Sequence, residues 1–276
     1  AWERPGIMRK HIYTGAMGNV WAHLISGIFF VYFGSQIGMT ELQWGAMAGI
    51  SSWLIAAQLF SARLTERTGQ RKRTWFWLAM TDRVLRFVGI GISLWAWSAG
   101  SSFAPAILMI AISVANLAGA MGAPPWLSWL ADIIPEDEHG TFWGRRSLWI
   151  SIATMVAVVP AGLFMDRIAP ESRLAAAVGV LAVATLIGCL DLLVHGTIPE
   201  PLAAKASAPP RLRDLTDPFA DPAFRPWLVF NAVWTFGMTL GGALATIYFV
   251  DQLGISENFL GGTVVLTSFT LFGVMA

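Results

Sequence analysis

The stretch Ala62-Arg63-Leu64-Thr65-Glu66-Arg67-Thr68-Gly69-Gln70-Arg71-Lys72-Arg73 is a loop of charge and turn signal set between two long apolar runs. Gly69 permits a tight reversal, and Arg67 can bond to carbonyls at a neighbouring helix end or to a carboxylate there. The flanks decide the class of protein. The chain has 276 residues, 55% hydrophobic and 13% charged, whereas globular chains are about 25% charged. A soluble fold would have nowhere to bury so much apolar surface. A single cysteine, Cys189, excludes a disulfide framework and a cysteine metal cluster.

Further runs able to cross a bilayer lie on both sides of that loop. A hydrocarbon core about 30 Å thick needs roughly 20 mostly apolar helical residues. Eight such runs are readable, at 15–39, 44–62, 75–98, 103–131, 147–165, 174–197, 226–250 and 259–276. The expected fold is an all-α membrane bundle. Arg9-Lys10-His11 leads into a full-length span with no small-residue cleavage site after it, which reads as a retained helix rather than a secretory signal.

Charge sets the expected orientation. Of the 18 Lys and Arg, all but Arg83, Arg86, Arg167 and Arg173 fall at the amino terminus or in the loops after the second, fourth and sixth runs. Those segments are expected on the cytoplasmic side of a bacterial inner membrane. The loop after the sixth run holds Pro199, Pro201, Pro209, Pro210, Pro218 and Pro222, too polar to span and too proline-rich for one continuous helix. The expected organisation is therefore a six-helix bundle over 1–198, a linker over 199–225 and the start of a second bundle over 226–276.

An ungapped offset of 216 residues aligns Arg9 with Arg225, Ala16 with Ala232, Leu24 with Leu240, Tyr32-Phe33 with Tyr248-Phe249 and Gln36 with Gln252. It also aligns Gly38 with Gly254, Glu41 with Glu257, Gly45 with Gly261 and Ser52 with Ser268. The pattern Tyr-Phe-x-x-Gln-x-Gly-x-x-Glu thus recurs with identical spacing. Runs seven and eight read as the beginning of a second, parallel copy of runs one to six. Two whole copies would take roughly 410–440 residues, so the sequence reads as one and a third copies.

The opening loop resembles the signature Gly-x-Leu-Ala-Asp-Arg-x-Gly-Arg-Lys of the major facilitator superfamily, at the same place in the topology. Leu64, Arg67, Gly69 and Arg71 match and Glu66 replaces Asp, while Ala62 stands for the first Gly and Gln70 for an Arg. Asp221-Pro-Ala-Phe-Arg225 looks like the family's lead into its second half. Asp132-Ile-Ile-Pro-Glu136, with Gly140-x-x-x-Gly144-Arg-Arg146, looks like its loop after span four. The resemblance implies twelve helices in two halves, eight of them in this chain. It also implies a cytoplasmic cluster that holds the halves together in the outward-open state, with Glu66, Arg67 and Asp132 as gate members beside Leu64, Gly69 and Arg71. Two departures count against proton-driven drug export: run four lacks an embedded Arg, and run five has Pro160 and Ala161-Gly162 without a glycine-rich pattern.

Ionisable groups within spans are functional candidates because lipid burial is costly. Asp82 and Arg86 lie four apart and can pair within one helix. Since the family places span three at the periphery, Asp82, Arg83 and Arg86 are expected to form a structural pair that snorkels to the interface. Asp191 and His195 have the same spacing. The family lines its cavity with spans one, four, seven and ten. That points to Asn19 and His23 on one helical face, Gln36 nearer the external end, Ser113 and Asn116 on run four, and Asn231, Thr235 and Thr239 on run seven. Thr235 and Thr239 are the repeat partners of Asn19 and His23. A packing histidine and a titrating one fit His23 equally well. Pairs such as Gly34/Gly38, Gly45/Gly49 and Gly237/Gly241 permit close helix approach. Trp44, Trp75, Trp77, Trp95, Trp97, Trp126, Trp129 and Trp227 fall near span ends, as interfacial anchors do.

No Gly-x-x-x-x-Gly-Lys-Ser/Thr loop, His-Glu-x-x-His pair or Gly-x-Ser-x-Gly elbow is present, so neither an enzyme nor an ATP-driven pump is expected. No cofactor or metal is implied, and nucleic acid is not a partner. The reading is a secondary transporter that moves a small solute by rocking two halves, driven by an ion or solute gradient within the lipid bilayer. The alternative is a transporter-like structural or assembly subunit of a larger membrane complex, such as a photosynthetic one.

Overall fold

The computed structural model describes residues 4–201 and 217–247, with side chains over 6–201 and 219–237. Run eight and the Tyr248-to-Ser268 half of the repeat lie outside the described residues. Every regular element among the described residues is a helix. The chain divides into two compact units, the first containing the helices up to His195 and the second those from Asp217 onward.

In the first unit, α1 (Arg4–Ser26) and α2 (Ile28–Gln36) together make the first apolar run. They are separated at Gly27, whose backbone is extended (φ −86°, ψ −154°) and where a Cβ would press on the carbonyl oxygen of His23. The reversal that follows uses Gly38 at φ +91°. Thr40 then starts α3 (Glu41–Leu54) with a reciprocal cap, its hydroxyl accepting from Gln43 N while the Gln43 side chain accepts from Thr40 N. This satisfies donors that a helix start leaves unpaired. A short 3-10 turn, Ile55–Ala57, leads into α4 (Gln58–Thr68).

The helix α4 stops because Gly69 enters the left-handed region at φ +65°, as the turn reading of Gly69 required, and its N–H caps the Thr65 carbonyl at 2.8 Å. Then come α5 (Arg71–Ser98), α6 (Ala104–Ile133), α7 (His139–Arg167) and α8 (Arg173–His195). Pro124 and Pro125 lie within α6 and Pro160 within α7.

Among the described residues, five stretches are long and apolar enough to cross a membrane: Gly6–Gln36, Glu41–Thr68, Ala104–Ile133, Glu136–Arg167 and Pro170–His195. The α5 helix has 28 residues, but Asp82, Arg83 and Arg86 in its middle keep composition alone from qualifying it. Its neighbours, rather than its hydropathy, account for it. It packs along α6, while α1 packs on α7 and α8. The main core gathers Ile25, Phe29, Phe30 and Phe33 with Ile90, Leu108, Ile112 and Leu181. A second cluster centres on Trp75, Trp129, Leu192 and Ile198.

That second cluster corrects the anchor reading of two tryptophans. Trp77, Trp95, Trp97 and Trp227 are exposed, as interfacial residues are, but Trp75 and Trp129 are buried. Trp75 and Trp129 instead wall in His195, with ring centroids 4.5 and 5.3 Å from its own, and Trp129 also meets His11 edge-on. In the second unit, α9 (Asp217–Ala220) precedes α10 (Arg225–Ile247), a helix over the seventh run. Asp221 Oδ1 accepts from Ala223 N in the turn between them, and Arg225 Nε donates to Phe219 O.

Candidate functional site

The stretch from Asp82 to Arg86 of α5 organises the polar interior. Asp82 and Arg83 are adjacent and point to different neighbours. On one side, Arg86 Nε donates to Asp82 Oδ1 at 2.8 Å, as the i, i+4 spacing allows. Arg86 Nη2 goes on to Asn116 Oδ1 of α6 at 2.5 Å, and Asn116 Nδ2 reaches Ser51 Oγ of α3 at 2.7 Å. A continuous string of polar contacts therefore ties α5, α6 and α3.

On the other side, Arg83 Nη2 donates to Asp191 Oδ2 of α8 at 3.0 Å, Nε to the Gly188 carbonyl at 2.8 Å and Nη1 to the Ala79 carbonyl at 3.2 Å. Its guanidinium lies 4.1 Å from the ring centroid of Trp21 on α1. This crossing needs close helix approach, and glycine supplies it. A Cβ on Gly18 would lie 2.9 Å from Asp191 Oδ2, and one on Gly188 would lie 2.6 Å from Trp21 Cδ1.

Asp82 and Arg83 are buried, at 5% and 7% exposure. The expectation that they snorkel is therefore corrected: each finds a partner of opposite charge inside the bundle, which removes the need to reach water. Asp191 is likewise engaged across helices rather than mainly by its own His195, whose Nδ1 stays 4.0 Å from Asp191 Oδ1. The rings of His195 and His11 meet edge-on at 4.6 Å between centroids.

At the start of α5 the charged loop folds inward through one residue. Arg71 is buried, and its Nη1 binds Asp132 Oδ2 at 2.5 Å and the Ser128 carbonyl at 3.0 Å, both on α6. Its Nη2 donates to the Pro201 carbonyl at 3.3 Å. Lys72 Nζ donates to Ile198 O at 2.8 Å, and Lys72 N donates to Glu200 Oε1 at 3.1 Å. Arg71 and Lys72 thereby staple the segment after α8 onto the ends of α5 and α6. Glu66 and Arg67 are exposed and have no hydrogen-bond or ion-pair partner among the described residues; Leu64 is 48% exposed beside them. Of Arg67 and Arg71 in this loop, it is Arg71 that reaches a carboxylate.

The other expected site residues divide clearly. Asn19 Nδ2 donates to Gly15 O, His23 Nδ1 to Asn19 O and Ser113 Oγ to Met109 O, each within its own helix. His23 and Gln36 are exposed. Among the candidates on runs one and four, only Asn116 joins the interhelical string. In the second unit Asn231 Nδ2 donates to Trp227 O and Thr235 is exposed, while the side chain of Thr239 is outside those described. The pair that sequence reasoning did not foresee is Arg83–Asp191. Its signal was present as opposite charges on two different spans, with Gly18 and Gly188 close by.

The sequence model of the Major Facilitator Superfamily matches residues 12–276 of the chain. No curated protein and no solved structure matches it.

Proposed function

The chain belongs to the major facilitator superfamily, a family of transporters, and from that premise we propose that it is a secondary active transporter. It moves a small solute by rocker-switch alternating access, with its amino terminus on the cytoplasmic side of a bacterial inner membrane. The observation that carries this reading is the buried, charge-balanced polar network on α5, α6 and α8. Ionisable groups at membrane depth are costly and mark pathways more often than packing. On this reading the exposed Glu66 and Arg67 are the charges left to meet the second half, while Arg71 and Asp132 hold the first half's own end together. His23, exposed on α1, is the histidine this reading assigns to the transport cycle.

Reconstitution into proteoliposomes tests the proposal. Uptake of at least one solute class should follow an imposed ion or solute gradient and collapse when the gradient is dissipated. Failure across sugars, amino acids, organic acids and organic cations would overturn it. A His23→Gln variant with unchanged rate and pH dependence would remove His23 from the cycle.

A further inference from the structure

Arg146 of α7 is half-buried and carries the charge that the interior leaves unmatched. Arg83 pairs with Asp191 and Arg86 with Asp82, while at the start of α5 the cations Arg71 and Lys72 are offset by Asp132 and Glu200. Arg146 has no hydrogen-bond or ion-pair partner among the described residues. Its Nε is buried without an acceptor, and Nη1 and Nη2, which keep accessible surface, have none either. Two indoles hold the guanidinium: it lies 5.2 Å from the ring centroid of Trp126 on α6 and 5.4 Å from that of Trp143 on α7. Towards α1 it rests on Gly15, where a Cβ would stand 2.7 Å from Nε and 2.9 Å from Cζ and Nη2. The stem is therefore fixed and the two terminal nitrogens are uncommitted.

The groups around Arg146 supply no anion. Asp191 of α8 faces it from beyond ion-pair distance and is taken by Arg83. His11 of α1 and His195 of α8 also face it and carry no negative charge. Arg145, next along α7, is exposed and adds a second cation. An organic cation would bring more charge of the same sign, and an uncharged solute would leave the guanidinium unmatched. A carboxylate answers both charge and shape, accepting from Nη1 and Nη2 as a parallel pair. The indoles narrow the class further, because their apolar surface suits an organic body that inorganic phosphate lacks.

We infer that Arg146, flanked by Trp126 and Trp143, is a binding site for a small organic carboxylate. That the carboxylate is also the cargo rests on the transporter reading; the binding itself does not. The experiment is equilibrium dialysis of the purified full-length protein in phosphatidylcholine nanodiscs with radiolabelled benzoate. Inorganic phosphate, xylitol and tetramethylammonium serve as competitors, and discs containing phosphatidylglycerol offer an anionic lipid headgroup to the same guanidinium.

Unlabelled benzoate should displace the label at least tenfold more effectively than any of the three competitors, and phosphatidylglycerol should change its affinity less than threefold. Arg146→Gln should lose tenfold or more of that affinity. Arg146→Lys keeps the charge without the fork and should lose three- to tenfold. Gly15→Ala leaves Arg146 in place but presses on its guanidinium, and should lose at least threefold. Arg145→Gln removes the same charge from the exposed neighbour and should lose less than threefold. No benzoate binding, equal displacement by phosphate or tetramethylammonium, loss of binding in phosphatidylglycerol, or equal losses in Arg146→Gln and Arg145→Gln would overturn the site. Gradient-driven uptake of some other solute would then leave the transporter reading standing, whereas benzoate binding without any transport would refute only that reading.

Discussion

Replacing Arg83 by Met strips the buried carboxylate of Asp191 of its donor. Asp191 is 4% exposed, its Oδ2 accepts from Arg83 at 3.0 Å, and its Oδ1 has only His195 Nδ1 at 4.0 Å, beyond hydrogen-bond range. Breaking a buried ion pair from one side costs about 3–5 kcal/mol. Arg83 also gives up its bonds to the Gly188 and Ala79 carbonyls and its place over Trp21, which puts Arg83→Met near the top of that range, about 4–5 kcal/mol. Asp191→Leu leaves the cation with both carbonyls and the indole, so its cost is lower, about 3 kcal/mol. The double variant Arg83→Met/Asp191→Leu leaves no orphaned charge and should return to within about 1 kcal/mol of the wild type. The two single losses would then exceed the double loss by more than ~3 kcal/mol. Unfolding of bicelle-reconstituted protein by SDS titration, followed by tryptophan fluorescence, measures all four corners of the cycle. A coupling near the ~0.6 kcal/mol average of interhelical hydrogen bonds in membranes would refute the argument that this pair is a dry, mutually dependent ion pair.

Other substitutions test other parts of the account. Arg71→Ala removes the staple to Asp132, Ser128 and Pro201 and should cost about 1–3 kcal/mol, with faster amide hydrogen exchange at Ile198 and Glu200. Arg71→Lys should recover only part of this, because an ammonium cannot reproduce the guanidinium fork. Within α8, Gly188→Ala drives a Cβ to 2.6 Å from Trp21 and should destabilise by about 1–3 kcal/mol, whereas Gly179→Ala, with nothing within 4 Å, should be neutral or gain up to ~1 kcal/mol. The same SDS titration reads both. Asn116→Leu orphans Arg86 Nη2 and takes one donor from Ser51 Oγ, which keeps its own bond to the Met47 carbonyl, and should cost about 1–3 kcal/mol, more than Ser113→Ala, whose hydroxyl bonds only to its own helix.

Local rules carried much of the fold into the sequence. A glycine after a run of helix formers is the cheapest way to end a helix, and Gly69 does so at φ +65°. The Asp82–Arg86 pair follows from helical spacing alone. Apolar runs placed the helices but not their starts: α7 begins at His139 and α5 at Arg71, each before its apolar run, because helices continue into charged flanks that hydropathy does not count. Long-range choices were not legible. Arg83 and Asp191 are 108 residues apart, and no periodicity links them. Arg67 and Arg71 are chemically alike in the loop, so which one folds inward depends on where α6 brings Asp132. Trp75 and Trp129 share their place near span ends with the exposed Trp77 and Trp95, and only packing around His195 and His11 separates anchors from core.

Solute counterflow decides whether this chain is a carrier. Proteoliposomes are preloaded with an unlabelled solute that binds the protein and then diluted into a trace of the labelled form. An alternating-access carrier predicts a transient accumulation of label above its equilibrium level, abolished when the unlabelled solute is left out. Simple equilibration without overshoot, or no protein-dependent entry of any bound solute, would contradict the account.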